Sequence, residues 1–488
     1  MKAFCAAVVL LGTLLSGGIT AQQPRTFPIG TLVEHVQSAS NPTQQFALYL
    51  PKGFESTRPT PILFLLDPRG RAPVPARLFQ AAADRFGYIL ISSYNTSSDS
   101  PVDPNFVAMQ AMWADATRWF TLDPGRIYVA GFSGTARTAT RLAQTRQVIT
   151  GVIGAGAGFH EDTRPSTKVK FLYYGTVGTV DYNYDEVDLL GHTLAGLDFP
   201  HRIETFPGPH SWMPKPVAMR AVEWFELRAM QAGKRPRDLE LIDELWSRDA
   251  AIAADRLGNG QWLDAGRRYA AMARDFDGLR DVAFARSGAE RLLNMAEART
   301  ELTRRRTRSR QSIAWVTDKL RTIGDAFPAG AAKPAMTLDD LSAELTISRL
   351  KTQAAGDASD DALEARRRLN QIGVQLGFYL PQDALDRGKW FRAGYYLNLS
   401  MEIDDESPVA WYLMAKHDAR LGRSGDAIAA LTRAVDCGFR DLSQLESDPA
   451  FGRMRTEPAL QALVHRLQQS GDTLNVLTVD RPPVSARK

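Results

Sequence analysis

The sequence predicts an α/β domain, built on a mostly parallel sheet with helices on both faces, followed by an all-α helical-repeat region. Three observations predict it. Between residues 27 and 232, short apolar runs alternate with stretches of helical periodicity. After Pro236 the strand signals largely vanish. In that second half one pattern of residue spacings recurs, two of its copies at an offset of 34 residues.

Taken in order, Thr31 to Val36 and Gln45 to Leu50 alternate as strands, and Pro51-Lys52-Gly53-Phe54 is a turn. Pro61 to Asp67 is a continuous apolar run, as a strand buried on both faces should be. Pro75 to Phe86 reads as a helix and Tyr88 to Ser92 as another buried strand. Asn105 to Phe120 carries Met109, Met112, Trp113, Ala116 and Trp119 at helical spacing. Ile127 to Ala130 is a strand and Ala136 to Leu142 a helix. Ile149 to Ile153, Lys170 to Tyr174 and Arg202 to Phe206 are three more short strands, with a helix at Tyr184 to Ala195. Pro216 to Met230 closes the domain with a long amphipathic helix.

The chain has 488 residues, enough for two or three domains, and its 44% hydrophobic content supplies large cores. A net charge of +4 with nearly balanced signs argues neither for nor against an anionic partner. Met1-Lys2 followed by the apolar run Ala3 to Leu15, with small residues up to Ala21, reads as a secretory signal peptide over residues 1–21. The apolar run is too short to span a membrane, and no other stretch is long enough. The expected protein is exported, periplasmic or secreted. Cys5 lies inside the leader, so the mature chain holds Cys437 alone and no intrachain disulfide is expected.

The chemistry is expected around Tyr128 to Arg137, where a buried strand meets Gly131-Phe132-Ser133-Gly134-Thr135 and then a helix. A serine at the apex of a strand–turn–helix is lifted to where a histidine can reach it. The Gly134 N–H lies at a helix start, available to a substrate oxygen. Thr135 stands where a further glycine would pack helix on strand, so a small local adjustment is expected. In a parallel sheet the working residues sit on loops at the carboxyl ends of strands. Gly175 to Tyr184 and Pro207 to Trp212 are two more such loops. They offer His210 as the base and Asp181 as the carboxylate that orients it. Asp185 and Asp188 compete with Asp181, but fall at a helix start, where carboxylates favour the dipole in any case.

The elbow, the acid loop and Gly208-Pro209-His210-Ser211-Trp212, in the chain order Ser…Asp…His, make residues 27–232 resemble an α/β-hydrolase. The resemblance is to the compact exported esterases, similar to feruloyl esterase and polyhydroxybutyrate depolymerase-like proteins. It implies Ser133 as nucleophile, Asp181 as acid and His210 as base, with the Gly134 N–H as one oxyanion donor. The second donor should come from Pro68-Arg69-Gly70, where the His-Gly run of many relatives is missing; Arg69 is the expected donor. No metal and no organic cofactor is expected. His160-Glu161 shows no metal-ligand spacing with a second histidine. Gly154-Ala155-Gly156-Ala157-Gly158 completes no dinucleotide fingerprint. Trp212 is expected in the core rather than as a pocket wall.

In the second half, Gly260, Trp262, Ala265, Tyr269 and Met272 share their spacing with two later sets. These are Gly388, Trp390, Ala393, Leu397 and Ser400, then Gly422, Ser424, Ala427, Leu431 and Ala434. Paired helices at a period of 34 look like tetratricopeptide repeats. The resulting division is a helical region at 235–370 with one such segment, repeat-like helices at 371–470, and a tail at 471–488 expected to be disordered. The repeats are expected either to bind a protein partner or to pack on the first domain and shape its entrance. Arg304-Arg305-Arg306, Arg308 and Arg310 are expected on a solvated basic face, and nucleic acid is not an expected partner.

The leading expectation is a serine hydrolase acting on a small carboxylic ester. A serine peptidase or amidase would use the same triad. A third alternative is a binding protein whose repeats work and whose hydrolase domain is degenerate.

Overall fold

The structure, a computed structural model, describes residues 26–98, 103–160, 162–357 and 359–469. The expected signal peptide and C-terminal tail lie outside the described residues. The first unit runs β1 (Leu32–Gln37), β2 (Gln45–Tyr49), β3 (Thr60–Leu66), α1 (Pro73–Phe86), β4 (Ile89–Ser93), α2 (Asn105–Trp119) and β5 (Leu122–Phe132). It continues with α3 (Gly134–Thr145), β6 (Gly151–Ala155), β7 (Leu172–Gly178), α4 (Tyr184–Gly196), β8 (His201–Phe206) and α5 (Lys215–Gln231).

The eight strands form one sheet in the order β1-β2-β4-β3-β5-β6-β7-β8. Only β2 runs against the rest: its pairings with β1 and β4 are antiparallel, and every other pairing is parallel. Alternation along β3 explains the two layers of helix. Ile62, Phe64 and Leu66 pack with Met109 and Met112 of α2, Leu142 of α3 and Leu194 of α4. Leu63 and Leu65 pack on the other face with Phe79 of α1 and Phe225 of α5. The architecture is the expected one, a mostly parallel sheet with helices on both faces followed by a helical region. Two strands are longer than their apolar runs. β5 starts at Leu122, which pairs with Thr60 across an irregularity in register, and β7 reaches Gly178 by pairing with Phe206.

The second half is helical throughout its described residues: α6 (Leu239–Gly258), α7 (Trp262–Asp275), α8 (Ala283–Leu293), α9 (Ala296–Ala326), α10 (Leu338–Glu344), α11 (Ile347–Ala354) and α12 (Asp360–Val374). One turn of π-helix, Gln375–Tyr379, joins α12 to α13 (Leu380–Asp386). Then come α14 (Trp390–Ile403), α15 (Pro408–Arg420), α16 (Ser424–Asp436), α17 (Leu442–Ser447), a 3₁₀ turn (Pro449–Met454) and α18 (Pro458–Gln469). The starts are chemically marked: Asp238, Ser359 and Ser407 cap α6, α12 and α15 by accepting from the N–H three residues on. At the recurring alanine positions, Ala265, Ala393 and Ala427 are fully buried, so helices approach closely there. No helix among the described residues is long and apolar enough to cross a membrane. Cys437 is buried.

The two halves share one network. Arg202 of β8 donates to Asp249 of α6 and to Asp275 at the end of α7, each at 2.7 Å. Trp224 of α5 donates to the same Asp275 oxygen at 2.9 Å. In the arginine stretch of α9, Arg304, Arg306 and Arg310 are exposed and Arg305 and Arg308 half-buried. Arg305 meets Asp264 at 2.7 Å and Glu301 at 2.6 Å, Arg304 meets Asp360 at 2.8 Å, and Arg308 meets Asp361 at 2.7 Å. Those three positions of the expected basic face are paired with carboxylates of the chain itself.

Candidate active site

At the end of β5 the chain reverses within one residue. Ser133 has φ 55° and ψ −129°, a region a non-glycine residue occupies only when its surroundings hold it there. The neighbouring glycine makes the turn possible: a Cβ on Gly131 would stand 2.3 Å from the Thr135 carbonyl. Thr135 is fully buried and its hydroxyl belongs to the turn. The oxygen lies 2.6 Å from the Leu66 carbonyl and 2.8 Å from that of Phe132, and accepts from the Phe132 N–H at 3.1 Å. The threonine therefore ties the elbow to the end of β3, where a glycine would have nothing to offer.

The structure brings Ser133, His210 and Asp181 into one row. Ser133 Oγ lies 2.9 Å from His210 Nε2, and His210 Nδ1 lies 2.9 and 3.0 Å from the two oxygens of Asp181. Asp181 is fully buried, while the His210 side chain is 13% exposed and Ser133 half-buried, so the row is closed at its acid end. An ionised Asp181 can only accept, which puts the imidazole proton on Nδ1 and leaves Nε2 to accept from the serine hydroxyl.

Backbone hydrogen bonds hold the two loops together: Thr179 N donates to Phe206 O and Val180 N to Gly208 O. Asn183 N caps Asp181 Oδ1 at 2.7 Å, and its side chain donates to Gly156 O at 2.7 Å. The imidazole lies between the rings of Tyr182 and Phe132, with centroids 4.0 and 4.6 Å away. Gly156, at φ 65°, leaves the space on its third side; a Cβ there would stand 3.0 Å from His210 Cε1. The glycine run set aside as a nucleotide fingerprint thus borders the imidazole, and its repeated small residues were the available signal.

The remaining expected residues fall in different places. Gly134 opens α3, so its N–H has no carbonyl one turn back to bond with. The Arg69 N–H donates to Asp67 Oδ1 at 3.0 Å, so a substrate oxygen would have to share or replace that acceptor. Asp185 and Asp188 stand on α4 away from His210: Ser309 of α9 reaches Asp188 at 3.2 Å, and burial pushes the Asp185 carboxyl up despite Arg367. Trp212 packs against Phe79 and Phe132 and donates to Asp67 at 2.9 Å. His160, beside Asp162 at 3.6 Å, is partly exposed and outside the cavity above Ser133. Among the described residues no group of three or more His, Cys, Asp or Glu is arranged to hold a metal ion.

Packing of the helices at the entrance of the first domain was one of the two expectations for them, but the sequence did not name the residues that would do it. The cavity above Ser133 and His210, of about 140 Å³, is bounded on its far side by α12, the π-turn, α14 and α15. Asn370 of α12 donates to the Val180 carbonyl at 2.7 Å, one residue before Asp181. The Arg367 guanidinium lies 4.0 Å over the Tyr184 ring.

No family model matches the chain, and no curated protein matches it. Among solved structures the chain is distantly similar to S-formylglutathione hydrolase (FrmB) from Staphylococcus aureus: 15% identity over 40% of this chain and 95% of that one, with a TM-score of 0.33. It is similar to a ferulic acid esterase at 14% identity over 39% of this chain and 96% of that one, with a TM-score of 0.33. It is also similar to Est1E from Butyrivibrio proteoclasticus, at 12% identity over 41% of this chain and 99% of that one, with a TM-score of 0.31. Likeness at this level carries no argument about chemistry.

Proposed function

We propose that this chain is an exported serine hydrolase acting on a carboxylic ester. The observation that carries the reading is the hydrogen-bonded row Ser133–His210–Asp181 at the end of parallel strands. Ser133 Oγ attacks the ester carbonyl while His210 Nε2 takes its proton. The oxyanion gathers at the Gly134 N–H, with Arg69 as the second donor once Asp67 yields. Collapse expels the alcohol, protonated by His210, and leaves an acyl group on Ser133. Water, deprotonated by His210, attacks in turn; the acid leaves and the proton returns to Ser133. Asp181 holds the imidazole tautomer and stabilises the imidazolium. No cofactor takes part.

The same row would serve an amide, so a serine peptidase or amidase is the second reading. The test is labelling of the purified mature protein with a fluorescent fluorophosphonate, with Ser133→Ala and His210→Ala beside it. Labelling of the wild type that is lost in both variants is expected, and an ester and peptide panel then separates the readings. A folded wild type that takes no label would remove the catalytic reading and leave the helical region as the place to look for function.

A further inference from the structure

The cavity above Ser133 is assembled from two parts of the chain, residues 68–210 and residues 369–410. Its floor is Ser133 and His210; its roof carries Leu369 and Val374 of α12, Phe378 of the π-turn, Ile403 of α14 and Val409 of α15. These five side chains are aliphatic or aromatic and reward an apolar group, while Asn370, Tyr379, Ser400, Asp404 and Ser407 give the same roof a polar margin. The part closed off from solvent is small, although the cavity is open on one side. A dry apolar cavity of roughly 150 Å³ holds one benzene molecule, and the space here is about 140 Å³. The π-turn matters to the shape, because an extra residue in the turn displaces the side chains that follow it from regular helical positions.

We infer that the helical region selects the substrate, admitting an ester with one compact apolar substituent about the size of a phenyl ring and refusing long chains. This rests on the serine-hydrolase reading above. The substituent is either the acyl or the alcohol part, and two substrate series separate them: p-nitrophenyl esters from acetate through butyrate, hexanoate and benzoate to palmitate, and acetate esters of alcohols of the same sizes. One series is expected to peak at the butyrate-to-benzoate sizes and collapse at the longest chain. Val374→Phe, which narrows the roof, should lower kcat/KM at that peak by about tenfold relative to the smallest ester. Val374→Ala should move the peak toward larger groups. Fluorophosphonate labelling of all three proteins is read in parallel. Labelling intact with both profiles unmoved would overturn the inference, as would palmitate turned over as well as hexanoate. Loss of labelling in the wild type would strike the serine-hydrolase reading itself. If Val374→Phe does not fold, the shift expected of Val374→Ala decides alone.

Discussion

Ser133 holds its positive φ because its neighbours leave the turn no alternative, and Thr135 is the neighbour that does most. Its hydroxyl serves Leu66 O, Phe132 O and Phe132 N from a position with no access to water. Removing such a hydroxyl while keeping its volume leaves buried backbone groups short of a partner, at about 1–3 kcal/mol. Thr135→Val is therefore expected to lower the unfolding free energy in urea by that amount and to slow fluorophosphonate labelling, with Thr135→Ser recovering most of both. At this scale much was legible. Ser133, Asp181 and His210 each follow a strand on a loop, and the structure brings these three expected residues into one hydrogen-bonded row. Gly156 and Tyr182 were not legible as partners of His210. A glycine or tyrosine on a loop has no property of its own that marks an imidazole beside it, and only the closure of β6 against β7 makes the contact.

Elements explain what the row alone does not. The acid loop between β7 and α4 is tied on one side to the loop of His210 and on the other to α12. Asn370 donates to Val180 O, and Arg367 lies over Tyr184. Helix α12 thus holds the residue before Asp181 and the ring of Tyr184 three residues after it. Asn370→Ala is expected to reduce the labelling rate and kcat about tenfold, in line with the steep cost of small displacements at a reacting centre. KM for a small ester and the thermal midpoint should change little. A parallel fall in thermal midpoint and activity would instead mark Asn370 as a plain packing contact. Strands were readable because apolar runs have no other use in a sheet buried on both faces. Helix α9 was less so. Its arginines look the same in sequence whether they face water or the carboxylates of α7 and α12, and only the packing shows Arg304, Arg305 and Arg308 paired.

Across the whole molecule, the question left open by the sequence was whether the helices bind a partner or cover the sheet. Amphipathic helices carry the same pattern in both cases, and the contact that shows α7 packed on β8 joins residues as distant as Arg202 and Asp275. Burial pushes the Asp275 carboxyl up, but Arg202, Arg274 and Arg228 around it more than offset that and hold it at about 2, below its ordinary 3.8. A carboxylate depressed in the folded state stabilises it fully above the unfolded value and ceases to do so as pH falls through the folded one. Between those two values the native chain should therefore lose about 2 kcal/mol from this group. Asp275→Asn removes the charge but leaves Arg202, Arg228 and Arg274 around the site, so it should destabilise the native protein at neutral pH by about 3–5 kcal/mol. The gap between variant and wild type, read from urea unfolding at steps from pH 7 down to about pH 2, should hold steady to near pH 4 and then narrow. A gap that stays constant to the lowest pH would mean that Asp275 binds its proton as readily folded as unfolded. The network joining sheet to helices would then draw its strength from packing around Trp224 rather than from the ion pairs.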